Sequence, residues 1–94
     1  NVKAARRYCR FAVEMGNIPF TPHLLFPQFL DDSDPKEREL GLFFGVALMS
    51  KCAEVWVFGE TISAGMAKEI EKAEKRGMRI RWFNSKYEEV TQYE

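Results

Sequence analysis

The run LGLFFGVALM, residues 40–49, does most to narrow the folds open to this chain. It follows Asp34-Pro35, a strong helix start: Asp34 suits the N-cap, Pro35 the first helical position, and Glu37 a capping box. The helix this predicts is amphipathic only in its first turn. From there Leu40, Phe43, Phe44, Ala47 and Leu48 fall on one side, and Leu42, Val46 and Met49 on the other. A helix that is apolar nearly all round must be covered on two sides. A sheet can supply one cover. The other is a second copy of the chain, which makes a homodimer through Leu40–Met49, or else a neighbouring helix of the same chain.

Helical and strand patterns alternate around this segment. Val2, Ala5, Cys9, Ala12, Val13 and Gly16 recur at helical spacing, and Gly16-Asn17 stops that first helix. NIPFTP, residues 17–22, reads as a short strand limited by Pro19 and Pro22. AEVWVFG, residues 53–59, is a β-branched and aromatic strand ending at Gly59. A third helix has Ser63 as N-cap and Gly77 as its stop, and MRIRWF, residues 78–83, is the last strand. The polar remainder, counted from 83 to 94, is a short terminal helix or an arm. Alternation of this kind predicts an α/β fold, a single domain over residues 1–94 with a three-layer parallel sheet covered by helices. Three parallel strands make a thin sheet, so a strand preceding Asn1 is expected to complete it.

Composition removes several function classes. The 94 residues carry 14 basic and 14 acidic side chains, and this balance gives no electrostatic footprint for nucleic acid or an anionic membrane. Lys3, Arg6, Arg7 and Arg10 form a local basic cluster that reads as a solvated helix face. No apolar run reaches the ~18 residues of a membrane helix, and there is no signal-peptide pattern. Two cysteines, Cys9 and Cys52, and one histidine, His23, do not make a metal pattern. Both cysteines read as reduced, buried small hydrophobes of a cytoplasmic protein, with no cofactor implied.

The chemistry concentrates in GETISAGMAKEIEKA, residues 59–73. In open α/β sheets ligands bind at the carboxyl ends of strands, and free backbone N–H groups at a helix N-terminus attract anions. Gly59 leads off the strand toward Ser63-Ala64-Gly65. Gly65 costs helix stability relative to alanine, in exchange either for close approach of a ligand or for tight packing. Taking about 100° per residue, Ile62, Met66, Ile70, Ala73 and Gly77 form an inward stripe with Glu69 on its border and Lys68, Lys72 and Lys75 opposite. Glu69 is then either a site carboxylate half-turned toward the core or a surface partner of Lys72. His23 follows FTP at another expected strand end, as a structural hydrogen-bonding residue or a pocket residue. Asp31 and Asp32 are turn residues or site carboxylates.

Residues 52–83 resemble the closing half of the nucleoside 2-deoxyribosyltransferase-like fold, and ARRYCRFAVEMGNIPFTPHLLFPQFL is similar to its phage- and bacteria-borne branch. The most specific piece is S-x-G-x-x-x-E with an alanine one turn on: Ser63, Gly65, Glu69 and Ala73. The resemblance implies a flavodoxin-like or Rossmann-like sheet lacking its first strand. It implies Glu69 as the nucleophile that attacks the anomeric carbon of a 2-deoxyribosyl group and expels the base. A carboxylate of ordinary pKa, about 4.3, is ionised at neutral pH and suited to forming a glycosyl ester. His23 is the second candidate catalytic residue, and Ser63, Gly65, Gly59, Met66 and Asp32 are candidate substrate-binding positions. Ser63 stands where the transferases resemble one another in an aspartate and where related monophosphate N-glycosidases carry serine in a phosphate site. The expected activity is therefore an N-glycosidase or deoxyribosyltransferase acting on 2′-deoxynucleosides or their 5′-monophosphates. Two alternatives stand beside it: a non-catalytic nucleotide-binding module, and a ribonucleotide phosphoribohydrolase that also uses G-x-x-x-E.

Overall fold

The structure is a computed structural model that describes residues 2–91. Helix and strand mix as an α/β protein, in two compact units, Asn1–Gly45 and Val46–Glu94.

In the first unit, helix α1 spans Val2–Glu14 and buries Ala5 and Ala12. It ends as the sequence predicts. Gly16, at φ +86°, donates its N–H to the Val13 carbonyl at 2.9 Å, and Asn17 N–H reaches the Ala12 carbonyl at 3.0 Å. This pair of bonds is the Schellman closure, and it needs the left-handed residue that glycine supplies without strain. Val2 and Val13 of the predicted apolar face are exposed, so the buried stripe is narrower than the pattern implies.

No strand forms at residues 17–22. The chain instead passes into two single 3₁₀ turns, Pro22–Leu24 and Phe26–Gln28. Proline supplies the physical reason: it has no N–H for a ladder, and its fixed φ suits the first position of a helical turn. The bonds Leu24 N–H to Thr21 O and Leu25 N–H to Pro22 O close the first turn locally. Phe26 is the buried anchor, in edge contact with Phe20 and Phe29 and tilted against Phe44 at 5.5 Å. Burying one such side chain is worth about 2 kcal/mol.

Helix α2, Pro35–Met49, begins as expected, with the Asp34 carboxylate accepting the Lys36 N–H at 2.9 Å. The capping box does not close. Glu37 reaches past Asp34 and accepts the N–H of Asp31 at 2.8 Å, while Asp34 N–H is taken by the Asp31 carbonyl at 3.0 Å. Gly45 and Met49, one turn apart, are buried. On another face Leu40, Phe43 and Ala47 are exposed, Phe43 to 66%. A Cβ on Gly45 would come 3.1 Å from Pro22 Cγ, so glycine here lets the 3₁₀ segment approach the helix backbone.

In the second unit, β1 (Glu54–Phe58), α3 (Ala64–Lys75) and β2 (Arg79–Phe83) form one parallel βαβ unit. The register pairs Glu54 with Arg79, Trp56 with Arg81 and Phe58 with Phe83. Val57, Ala73 and Phe83 are buried, Ala73 at 0% and Phe83 at 1% exposure. Helix α3 ends in a second Schellman closure, Gly77 N–H to Glu74 O and Met78 N–H to Ala73 O, each 3.0 Å. The sheet is mixed, not wholly parallel. Part of the expected polar tail turns back as β3, Glu89–Val90, antiparallel to β2, giving strand order β1-β2-β3. Residues 92–94 of that tail, and Asn1 of the first helix, lie outside the described residues.

The β2–β3 turn is built by Asn84. Its side-chain oxygen accepts the N–H groups of Lys86 at 2.9 Å and Glu88 at 3.0 Å, and its carbonyl accepts that of Tyr87 at 3.0 Å. Tyr87 takes the left-handed position, φ +62°, which costs a bulky residue about 1 kcal/mol. A three-residue loop with its left-handed residue last normally carries glycine there.

Candidate active site

Gly59 has φ +94° and donates its N–H to the Phe83 carbonyl at 3.1 Å, so the ladder runs one residue past β1 before the chain turns away. Residues 60–63 then lead to α3. Ser63, in extended conformation, accepts the Met66 N–H on its hydroxyl oxygen at 3.2 Å. Its role as N-cap is thus fulfilled, and its O–H proton can still be donated to a ligand.

Gly65 separates the two readings the sequence left open. A Cβ there would meet nothing within 4 Å. Tight packing therefore does not explain this glycine, in contrast to Gly45. Glu69 lies one turn further on and is half-buried, between fully buried Ala73 and exposed Lys68 and Lys72. The border position expected from the stripe is the one it occupies. Met66 and Ile70 are half-buried on the same helix, and Ile62 is exposed at 39%.

The other sequence candidates lie in the first unit. His23 is exposed on the 3₁₀ turn Pro22–Leu24, and the strand expected to end beside it is not formed. Asp32 is exposed in the turn before α2. Asp31 is a turn-forming residue: its carboxylate accepts both the N–H and the O–H of Ser33, at 2.9 and 2.6 Å. These bonds, the side-chain one foremost, hold its pKa below the usual carboxylate value. Among the described residues no three His, Cys, Asp or Glu side chains come together in a way that could hold a metal ion, and no helix is long and apolar enough to cross a membrane. Cys9 and Cys52 are both free thiols, and burial pushes Cys9 above its ordinary pKa.

Two features near the carboxyl end of β1 escape sequence reasoning. Ser85, in the β2–β3 turn, donates its hydroxyl to the Glu60 carboxylate at 3.2 Å, and the Tyr87 ring meets Phe58 edge-on at 6.3 Å. The turn thus lies alongside the loop that feeds α3. One face of the sheet also carries a charged cluster: Arg81 grips Glu89 through two bonds of 2.8 and 2.9 Å, and Glu54 accepts from Trp56 and Arg79. Alternation within each strand predicts which residues share a face, but not the register that brings these charges together.

A family profile described as a domain of unknown function, DUF7768, matches residues 1–83. No curated protein and no solved structure matches the chain.

Proposed function

This chain belongs to the DUF7768 family, and on that premise we propose that it is a nucleoside- or nucleotide-processing enzyme, an N-glycosidase or deoxyribosyltransferase acting on 2′-deoxynucleosides or their 5′-monophosphates. The observation that carries this reading is the open space over Gly65, one turn before Glu69. Helical side chains lean toward the N-terminus and meet the residue four positions earlier. For Glu69 that neighbour is Gly65. A sugar resting on the bare backbone of Gly65 would lie within reach of the Glu69 carboxylate, and a 5′-phosphate would meet the first-turn N–H groups and the Ser63 hydroxyl. The parallel β1-α3-β2 unit supports the finer reading of the fold as Rossmann-like, with α3 starting where the strands end.

In the proposed step one Glu69 carboxylate oxygen attacks the anomeric carbon. The bond from that carbon to the base nitrogen breaks, and its electron pair leaves with the base, which takes up a proton from an acid. The glycosyl ester on Glu69 is then resolved by water, or by the nitrogen of a second base. Glu69 belongs to the second unit; His23 and Asp32 lie in the first.

The test is base release from a panel of 2′-deoxynucleosides, ribonucleosides and their 5′-monophosphates by the naturally produced protein, with Glu69→Gln beside it. Release that Glu69→Gln abolishes is expected. Release unchanged by Glu69→Gln would show this mechanism to be wrong. Binding with no turnover would make the chain a nucleotide-binding module, and preference for ribonucleotides a phosphoribohydrolase.

We also propose a homodimer through the exposed Leu40, Phe43 and Ala47 stripe of α2. Light scattering at micromolar concentration should give a dimer mass that Phe43→Glu halves. A monomer mass for the unmodified protein counts against it.

A further inference from the structure

We propose that the outer face of α1 binds the phosphate backbone of nucleic acid. The proposal goes beyond the enzymatic reading and does not depend on it. Burial divides α1 into two sides: its exposed residues all fall on one, and Ala5 and Ala12 are buried on the other. At about 100° per residue, Lys3, Arg6, Arg7 and Arg10 occupy roughly 100° of arc in the middle of the exposed side, with Val2 and Val13 at its border. All four cations are exposed. The charge balance of the whole chain hides this face, because it averages the face with acidic residues elsewhere.

The face works against the helix that carries it. Lys3 and Arg6, and Arg7 and Arg10, are i,i+3 neighbours; Lys3 and Arg7, and Arg6 and Arg10, are i,i+4 neighbours. Like charges at these spacings destabilise a helix. Among the described residues the ion pair that offsets them is Arg10 with Glu14, at 3.4 Å and with both side chains largely in water. A local rule broken without a matching gain inside the chain is expected at functional sites. An anion from outside the chain supplies the missing gain.

The chemistry of the face selects the kind of anion. An interfacial membrane helix turns large apolar side chains toward the lipid, whereas the exposed side of α1 offers only the two valines. Three of the four cations are arginines, whose planar fork matches a phosphate through two hydrogen bonds. Lys3 to Arg7 and Arg6 to Arg10 each advance about 6 Å along the helix. Alternate phosphates of one DNA strand advance about 6.8 Å. A nucleic-acid backbone therefore meets all four cations whatever its sequence, while an acidic peptide would need this spacing written into its own. Contacts of this kind hold phosphates and read no bases.

The test is the fluorescence anisotropy of a labelled DNA duplex of about 20 base pairs, titrated with the naturally produced protein between about 50 and 200 mM salt. Four phosphate contacts predict that log K falls against log salt concentration with a slope of about −3.6. Arg6→Ala with Arg7→Ala should reduce the slope by about 2, with the melting temperature held or raised because alanine relieves the like-charge pairs. Glu14→Gln frees Arg10 and should tighten binding about twofold. A slope unchanged in the double variant, or no binding at the lowest salt, overturns the proposal. Capture by phosphatidylserine vesicles without duplex binding also overturns it, and assigns the face to a membrane surface.

Discussion

The Arg81 guanidinium lies 4.8 Å over the Trp56 ring while holding the Glu89 carboxylate by two hydrogen bonds. One side chain on the central strand thus fastens both neighbours, β1 through the ring and β3 through the carboxylate. The planar fork makes this possible, since a guanidinium can stack and form a bidentate pair at once. Arg81→Lys keeps the charge and loses both geometries. It should destabilise the protein by about 1 kcal/mol, read as a lower urea midpoint at unchanged slope.

The same cluster sets a pH dependence. The Trp56 indole N–H, followed by the Arg79 and Arg81 charges, holds Glu54 below the ordinary carboxylate pKa, and Arg81 does the same for Glu89. A folded-state pKa below the unfolded one gives stability that is complete above the unfolded value, about 4.3. That stability is lost as pH falls through the lowered folded values. Stability followed by urea titration should therefore be flat in this respect at neutral pH and fall below about pH 4. Glu89→Gln should flatten part of that acid limb; an unchanged limb would mean the Arg81 contact does not couple to folding.

Glycines in two helices should answer alanine with opposite signs. A methyl at Gly65 meets only open space, so Gly65→Ala gains up to about 1 kcal/mol of helix propensity. A methyl at Gly45 lies 3.1 Å from Pro22 Cγ, and Gly45→Ala should lose about 1 kcal/mol because the constrained ring must shift. Thermal melts of both variants decide this. If the sugar lies over Gly65, the stabilised Gly65→Ala also loses base release.

Ser63→Asp separates capping from phosphate binding. Aspartate caps as well as serine, so the melting temperature should hold, whereas Ser63→Ala should cost about 1 kcal/mol. The added negative charge opposes a 5′-phosphate at the same N-terminus. The ratio of monophosphate to nucleoside turnover should fall roughly tenfold, by like-charge repulsion between the added carboxylate and the phosphate. An unchanged ratio would take the phosphate away from Ser63.

What the sequence revealed follows from how local each signal is. Gly16, Gly77, Asp34 and Ser63 act within one turn of chain, and each terminates or caps its helix as read. Residues 17–22 misled because a strand is defined by its neighbours, and the two prolines favoured a turn that closes on itself. The β2–β3 turn was invisible because its left-handed position carries Tyr87 where the usual signal is glycine. For the candidate site, the Ser63–Gly65–Glu69 spacing was legible, and the open space over Gly65 was not. The contacts of Glu60 with Ser85 and Phe58 with Tyr87 join residues far apart in the chain, which no local pattern encodes.

The register of the sheet also predicts an order of assembly. Arg81 and Glu89, which join β2 to β3, are 8 positions apart, whereas Glu54 and Arg79, which join β1 to β2, are 25 apart. Closing the longer loop costs about 1 kcal/mol more chain entropy, and it has to wait for α3 to span the gap. The hairpin at the C-terminal side can form within microseconds and stand as a template for β1. Substitutions at Asn84 should accordingly slow folding, while those at Trp56 should mainly speed unfolding.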